Sequence, residues 1–156
     1  MTLKIGDKAP AFSLKDTDLK DVAIESITGK NVLLLFFPLA FTGVCTKELC
    51  QMRDDLSKYE NLDADILAIS VDSPFTLAKF KEINNLNFSL LSDFNKDVST
   101  AYGALYEDFV AGMKGVSKRA AFVVDKSGII KYAEVLENAG NLPNFEAIDL
   151  ALGSLT

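Results

Sequence analysis

The chain carries two thiols, Cys45 and Cys50, and no histidine at any of its 156 positions. That combination narrows the available chemistry. His-based acid–base relays, His-ligated zinc and haem held by a proximal His are excluded. Two cysteines are too few to fill a structural zinc site or to hold an iron–sulfur cluster within one chain. Nucleophilic work is left to Cys, Lys, Thr, Ser or a carboxylate.

Cys45 stands in the stretch Phe37-Pro38-Leu39-Ala40-Phe41-Thr42-Gly43-Val44-Cys45-Thr46-Lys47-Glu48-Leu49-Cys50. The apolar run Asn31 to Phe37 precedes it and stops at Pro38, which reads as a strand buried on both faces. Leu49, Met52, Leu56 and Tyr59 then fall on one stripe, so the spacing predicts a helix over Cys45 to Tyr59. Cys45 thus lies where a buried strand hands over to a helix, the usual ligand position of open α/β sheets. Free N–H groups and the positive end of the helix dipole favour an anion there, and a thiol so placed is more readily a thiolate. Only the thiolate attacks well.

The neighbours suit that nucleophile. Thr42 has a hydroxyl able to donate to a polarised oxygen and to accept in return. Gly43 lets the loop turn sharply toward the helix, and Pro38 fixes the loop entry and can shield the sulfur from water. Arg119, just ahead of the apolar run Ala120 to Val124, is a permanent cation. Beside Cys45 it would stabilise both the thiolate and the charge on a departing oxygen.

The remaining elements must position these groups. Asp65 to Val71 reads as a second buried strand, and Ser73-Pro74 opens a helix to about Asn84, with Ser73 as cap. Phe88 to Leu91 is a short strand, and Asp97 to Tyr102 one or two helical turns. Ala120 to Val124 and Ile129 to Val135 are strands joined by the turn Asp125-Lys126-Ser127-Gly128. Leu142 to Leu155 holds a final helix with Pro143 near its start. Ala11 to Ile24 alternates weakly about Asp16 to Asp21 and reads as an N-terminal hairpin. This order predicts an α/β fold of the thioredoxin-like kind: a mixed central sheet flanked by helices, with an N-terminal β-hairpin extension.

Composition sets the frame: 49% hydrophobic, 24% charged, 9 Gly and 4 Pro fit one globular domain over residues 1–156. The net charge of −6 argues against nucleic acid as a partner. The longest apolar run, Val32 to Phe37, is far short of the ~20 residues that span a bilayer. The N-terminal residues lack the basic-then-apolar pattern of a secretory signal. A soluble cytoplasmic protein is the expectation.

The spacing P-x-x-x-T-x-x-C, on Pro38, Thr42 and Cys45, resembles the active-site signature of the peroxiredoxin family. The likeness extends over nearly the whole chain. It includes Glu48, Arg119 within Lys118-Arg119-Ala120-Ala121-Phe122-Val123-Val124-Asp125, the opening Ile5-Gly6-Asp7-Lys8-Ala9-Pro10-Ala11-Phe12, Leu90-Leu91-Ser92-Asp93 and Ala101-Tyr102-Gly103. Phe36 to Gly43 is most similar to the AhpE-like subgroup, in which the peroxidatic cysteine often acts without a neighbouring resolving one. Cys50, five residues on, resembles instead the resolving cysteine of the bacterioferritin-comigratory, or Q-type, subgroup.

The resemblance implies a peroxidase acting on hydrogen peroxide and organic hydroperoxides. Cys45 becomes a sulfenic acid, Thr42, Arg119 and the Cys45 amide stabilise the leaving oxygen, and Cys50 or an external thiol resolves the product. A thioredoxin-like dithiol then recycles the enzyme, no metal, haem or flavin is needed, and a homodimer is implied. Glu48 is read either as a dipole partner of the first helical turn or as a group positioning Arg119. Helix geometry limits Cys50: residues five apart lie roughly 8 to 9 Å apart between Cα atoms, whereas a disulfide wants less than about 7 Å. Bonding would require the first turn to unwind.

Two other classes stand beside this reading. A thiol–disulfide oxidoreductase on the same fold would normally show C-x-x-C, whereas this chain has C-x-x-x-x-C. A non-enzymatic redox sensor would use the oxidised thiol to change partners. Phe36, Phe37, Phe80, Phe88, Phe94 and Phe122 read as core, and Phe41 as the lining of an apolar mouth or a dimer contact. Asp93, Asp97 and Asp108 read as solvated helix caps, not metal ligands.

Overall fold

The computed structural model describes residues 3–26 and 30–155. Seven strands form one sheet: β1 (Ser13–Asp16), β2 (Asp21–Ala23), β3 (Asn31–Phe36), β4 (Ala64–Ser70), β5 (Ser89–Ser92), β6 (Arg119–Val124) and β7 (Ile130–Leu136). Their order across the sheet is β2-β1-β5-β4-β3-β6-β7. β3, β4 and β5 run parallel, while the flanking pairs are antiparallel. The helices are α1 (Gly43–Asp54), α2 (Leu56–Asn61), α3 (Pro74–Ile83), α4 (Asp97–Ala101) and α5 (Phe145–Gly153). The N-terminal hairpin is part of this sheet: β1 pairs with β5 through Lys15–Ser92 and Asp16–Leu91.

Alternation along the central strands divides the core in two. Leu33, Leu35, Ile66, Ala68, Ala121 and Val123 pack with Leu49, Met52, Phe80 and Ile148 from α1, α3 and α5. Val32, Leu34, Phe36, Leu67, Phe122 and Val124 face the other way, onto Phe12, Val98 and Tyr102. Each strand residue therefore belongs to the face its parity dictates. On the second face Phe122 meets Tyr102 at 5.3 Å and Phe36 at 5.8 Å between ring centroids, both edge-on.

Four expectations need correction. The helix over Cys45 to Tyr59 is two helices, broken at Asp55. Asp54 and Asp55 are poor helix formers, unfavourable at the C-terminus of α1 and favourable before the N-terminus of α2. The final helix begins at Phe145, after Pro143, with Asn144 as its cap accepting from the Ala147 amide. Phe94 is not core; it is 60% exposed. Asp93 does cap, accepting from the Val98 and Ser99 amides at the start of α4, but it is buried, not solvated. Its two backbone donors satisfy a carboxylate that could not otherwise be sealed from water.

Among the described residues, no helix is long and apolar enough to cross a membrane. The model of a core split by strand parity is directly testable. Phe122→Ala empties a fully buried site between two rings and should cost about 3–5 kcal/mol in urea unfolding. A loss below about 1 kcal/mol would show that the second face is not a close-packed core.

Candidate active site

β3 ends at Phe36, and the Phe37 amide still donates to the Ile69 carbonyl at 3.0 Å, so the chain leaves the sheet at Pro38, which is buried. The next turn is anchored from outside. The Ala40 amide donates to Asp72 Oδ2 at 2.8 Å, and the Ser70 hydroxyl donates to the same oxygen at 2.7 Å. Sequence reasoning missed Asp72. The one available signal was its place just past the end of a buried strand, where open sheets gather their functional groups.

The sharp turn falls on Phe41, with φ 67°, and not on Gly43. A bulky side chain in the left-handed region is strained, at a cost of order 1–3 kcal/mol. The Phe41 ring, 51% exposed, leans edge-on against Phe80 with centroids 5.0 Å apart. Gly43 is the first residue of α1, and a Cβ there would meet no atom within 4 Å. It needs no special φ, and the space its missing side chain leaves is open.

Cys45 is the third residue of α1. The first intrahelical bond of this turn is from the Thr46 amide to the Thr42 carbonyl at 2.9 Å, which leaves the Gly43, Val44 and Cys45 amides without a helical acceptor. Thr42 occupies the cap position but makes no side-chain cap. Its hydroxyl donates to the Leu39 carbonyl at 2.8 Å. With its proton committed, Thr42 Oγ1 offers lone pairs as an acceptor, the second of the two roles the sequence suggested.

The Cys45 side chain is 1% exposed and packs among Phe37, Ala40 and Leu49. A thiol sealed in hydrocarbon would be inert, but this one has a cation against it. Arg119 Nη2 donates to Cys45 Sγ at 3.2 Å. The parity of β6 explains the meeting: Arg119 shares a face with Ala121 and Val123, the face on which α1 lies. Ala120 and Ala121, beside Phe36 and Leu35 of β3, keep that end of the sheet slim.

Arg119, 1% exposed, is held on three sides. Nη1 donates to Glu48 Oε1 at 2.6 Å, and both Nε and Nη2 donate to the Ala139 carbonyl, at 3.1 and 3.0 Å. Glu48 lies one helical turn beyond Cys45, so the two project side by side from α1. The loop bearing Ala139 is tied down by Tyr106, whose hydroxyl donates to the Glu137 carbonyl at 2.8 Å. A main-chain carbonyl leaves no trace in sequence, since any residue could supply it. Burial pulls the Arg119 guanidinium down, but Glu48 and the Cys45 sulfur outweigh it, and it stays protonated.

Glu48 is the costly member. It is fully buried, and its Oε2 has no hydrogen-bond partner among the described residues. Burial pushes its carboxyl up to about 7 against the opposing pull of Arg119, with Glu134 adding to the rise. Cys50 points elsewhere: its thiol donates to Asn84 Oδ1 at 3.8 Å, at the end of α3. Both cysteines are free, and both sit in the unbroken α1. The geometry thus unites Cys45, Glu48 and Arg119, sets Thr42 at the cap position of the same helix with Pro38 on the loop before it, and leaves Cys50 on another side of the helix.

The raised Glu48 value has a stability consequence. The folded chain binds this proton more tightly than the unfolded one, where the carboxyl titrates near 4.5. Glu48 therefore contributes stability that is full below about 4.5 and lost as pH rises through about 7. Glu48→Gln keeps an acceptor for Arg119 without the titration. Thermal melts of both proteins should show the advantage of wild type over E48Q shrinking across that window; a gap independent of pH would contradict the shift.

Comparison with known proteins agrees with this geometry. The AhpC/TSA family matches residues 5–133. Alkyl hydroperoxide reductase E of Mycobacterium tuberculosis is 43% identical over 157 aligned residues, covering 99% of each chain. Peroxiredoxin Bcp of Escherichia coli is 37% identical over 131 residues, covering 83% of this chain and 84% of its own. Among solved structures, a peroxiredoxin-like protein from Aquifex aeolicus superposes with TM-score 0.90 at 25% identity, over 100% of this chain and 90% of its own. Peroxidoxin BcpB from Mycobacterium tuberculosis gives 0.83 at 28% identity, over 98% and 96%. A buried thiol at a helix start, a guanidinium bonded to it and these relatives lead to one assignment: the chain belongs to the AhpC/TSA family of peroxiredoxins.

Proposed function

We propose that this chain is a thiol-dependent peroxidase that reduces hydrogen peroxide and organic hydroperoxides through Cys45. The observation that carries the reading is the 3.2 Å bond from Arg119 Nη2 to Cys45 Sγ at the first turn of a helix. The Cys45 thiolate attacks one peroxide oxygen and the O–O bond breaks. Arg119 and the free amides at the start of α1 stabilise the negative charge that develops on the departing oxygen. The four hydrogen bonds of Arg119 use four of the five N–H groups of a guanidinium, leaving one Nη1 proton for this task. Thr42 Oγ1 accepts the hydrogen of the incoming peroxide, and Pro38 keeps bulk water from the sulfur. Water or an alcohol leaves, and Cys45 becomes a sulfenic acid.

Resolution by Cys50 requires the first turn of α1 to unwind, because the intact helix holds the two thiols apart. That turn is suited to opening. A missing cap is worth about 1 kcal/mol, and Thr42 provides none, whereas Ser73 and Asn144 cap α3 and α5. A thioredoxin-like dithiol then reduces the disulfide, in a cytoplasmic setting. The exposed Phe41 ring next to the site is the contact through which two copies pair. A thiol–disulfide oxidoreductase is not favoured, since C-x-x-x-x-C within one helix cannot close as C-x-x-C does.

One equivalent of hydroperoxide added anaerobically should consume thiol in wild type. Retention of both thiols would remove the peroxidase reading. Arg119→Lys replaces a three-sided fork with a point charge and should lower the second-order rate with peroxide by roughly 10²–10³-fold. Cys50→Ser should leave the first oxidation intact and abolish turnover with a dithiol. Undiminished turnover of that variant would assign resolution to an external thiol.

A further inference from the structure

The oxidation of Cys45 changes the charge of a site that has almost no access to water. Cys45, Glu48 and Arg119 are each 0–1% exposed and are linked by bonds of 3.2 and 2.6 Å. With the sulfur anionic and Glu48 ionised, the three would carry a net charge of −1. An uncompensated buried charge of that kind costs several kcal/mol. One proton on Glu48 restores neutrality, and its Oε2, which no described residue bonds, is far less costly on a neutral carboxyl than on a carboxylate. Once Cys45 is a sulfenic acid, the balance reverses. The guanidinium has lost its partner anion, and among the described residues Glu48 is the sole carboxylate bonded to it.

We propose that Glu48 is a proton reservoir for the peroxidase half-reaction, holding a proton while Cys45 is a thiolate and giving it up as the sulfenic acid forms. The balance is R–S⁻ + R′O–OH + Glu–COOH → R–SOH + R′OH + Glu–COO⁻. The S–O bond forms as the O–O bond breaks, sulfur is oxidised by two electrons, the peroxide is reduced, and the proton that Glu48 releases offsets the one that the departing oxygen takes up. The site stays neutral before and after. Glu48 acts through Arg119 and the charge of the site, so it is a positioning and charge-balancing residue and not one that touches peroxide.

The groups facing Glu48 agree with this role. Arg119 from β6 favours its ionised form and Glu134 from β7 opposes it, while burial opposes it most, so that the carboxyl titrates at about 7. Both protonation states are therefore within reach near neutral pH, as a reservoir requires. A carboxyl that served only to hold Arg119 would do so best when permanently ionised.

The inference rests on the peroxidase reading, and a proton count separates the two. Wild type and Glu48→Gln are mixed with one equivalent of hydrogen peroxide in weak buffer containing an indicator dye, and sulfenic acid is counted by dimedone trapping. At about pH 6.5, wild type should take up fewer protons per sulfenic acid than E48Q, by up to one, and the difference should vanish by about pH 8.5. Equal uptake in the two proteins at about pH 6.5 overturns the reservoir while leaving the peroxidase intact. Absence of sulfenic acid overturns both. Should E48Q fail to fold, infrared difference spectra of wild type suffice: oxidation must remove a protonated-carboxyl C=O band at about pH 6.5 and none at about pH 8.5. An unchanged band means that Glu48 only holds Arg119.

Discussion

The site depends on one buried guanidinium. Arg119 bonds the Cys45 sulfur, the Glu48 carboxylate oxygen and the Ala139 carbonyl, so that a single side chain ties α1, β6 and the loop after β7 together. Removing a charge of this size from water costs several kcal/mol before any contact is made. The structure offsets that cost with a planar fork whose donors are nearly all occupied. The result is a cation held on three sides and aimed at the Cys45 sulfur.

Around this centre several departures from local preference fall close together. Phe41 holds a left-handed backbone that phenylalanine disfavours. Glu48 leaves an oxygen bare, and α1 begins without the side-chain cap that α3 and α5 have. Such departures gather at sites where function, not stability, selects the conformation. Their sum is affordable because the sheet beneath is packed on both faces. An uncapped first turn, a strained approach and a half-satisfied acid are also what a segment needs if it is to rearrange after the sulfur is oxidised.

Much of the fold was legible because it follows from periodicity. Val32 to Phe37 is continuous and apolar, and such a run must be covered on both faces, which calls for a central strand with helices on each side. The hairpin of β6 and β7 announced itself by its turn residues. The break at Asp55 did not, because the stripe Leu49, Met52, Leu56, Tyr59 keeps its spacing across it; only the balance of helix-end charges against packing ends α1 there. Phe94 looked like core for a similar reason. Hydrophobicity says that a side chain would gain from burial, not that a partner exists to bury it.

By itself the sequence determined that Cys45 stands at a strand-to-helix junction, and it marked Pro38, Thr42 and Arg119 as its candidate companions. These are properties of residue type and spacing along one chain. Only the tertiary structure decided that Arg119, 74 positions away, reaches the sulfur, that Glu48 shares it, that an anonymous carbonyl at Ala139 fixes it, and that Cys50 faces away. The physical reason is that strand register and helix rotation choose which side chains meet. A slip of one residue in β6 would leave every motif intact and turn the guanidinium to the wrong face of the sheet.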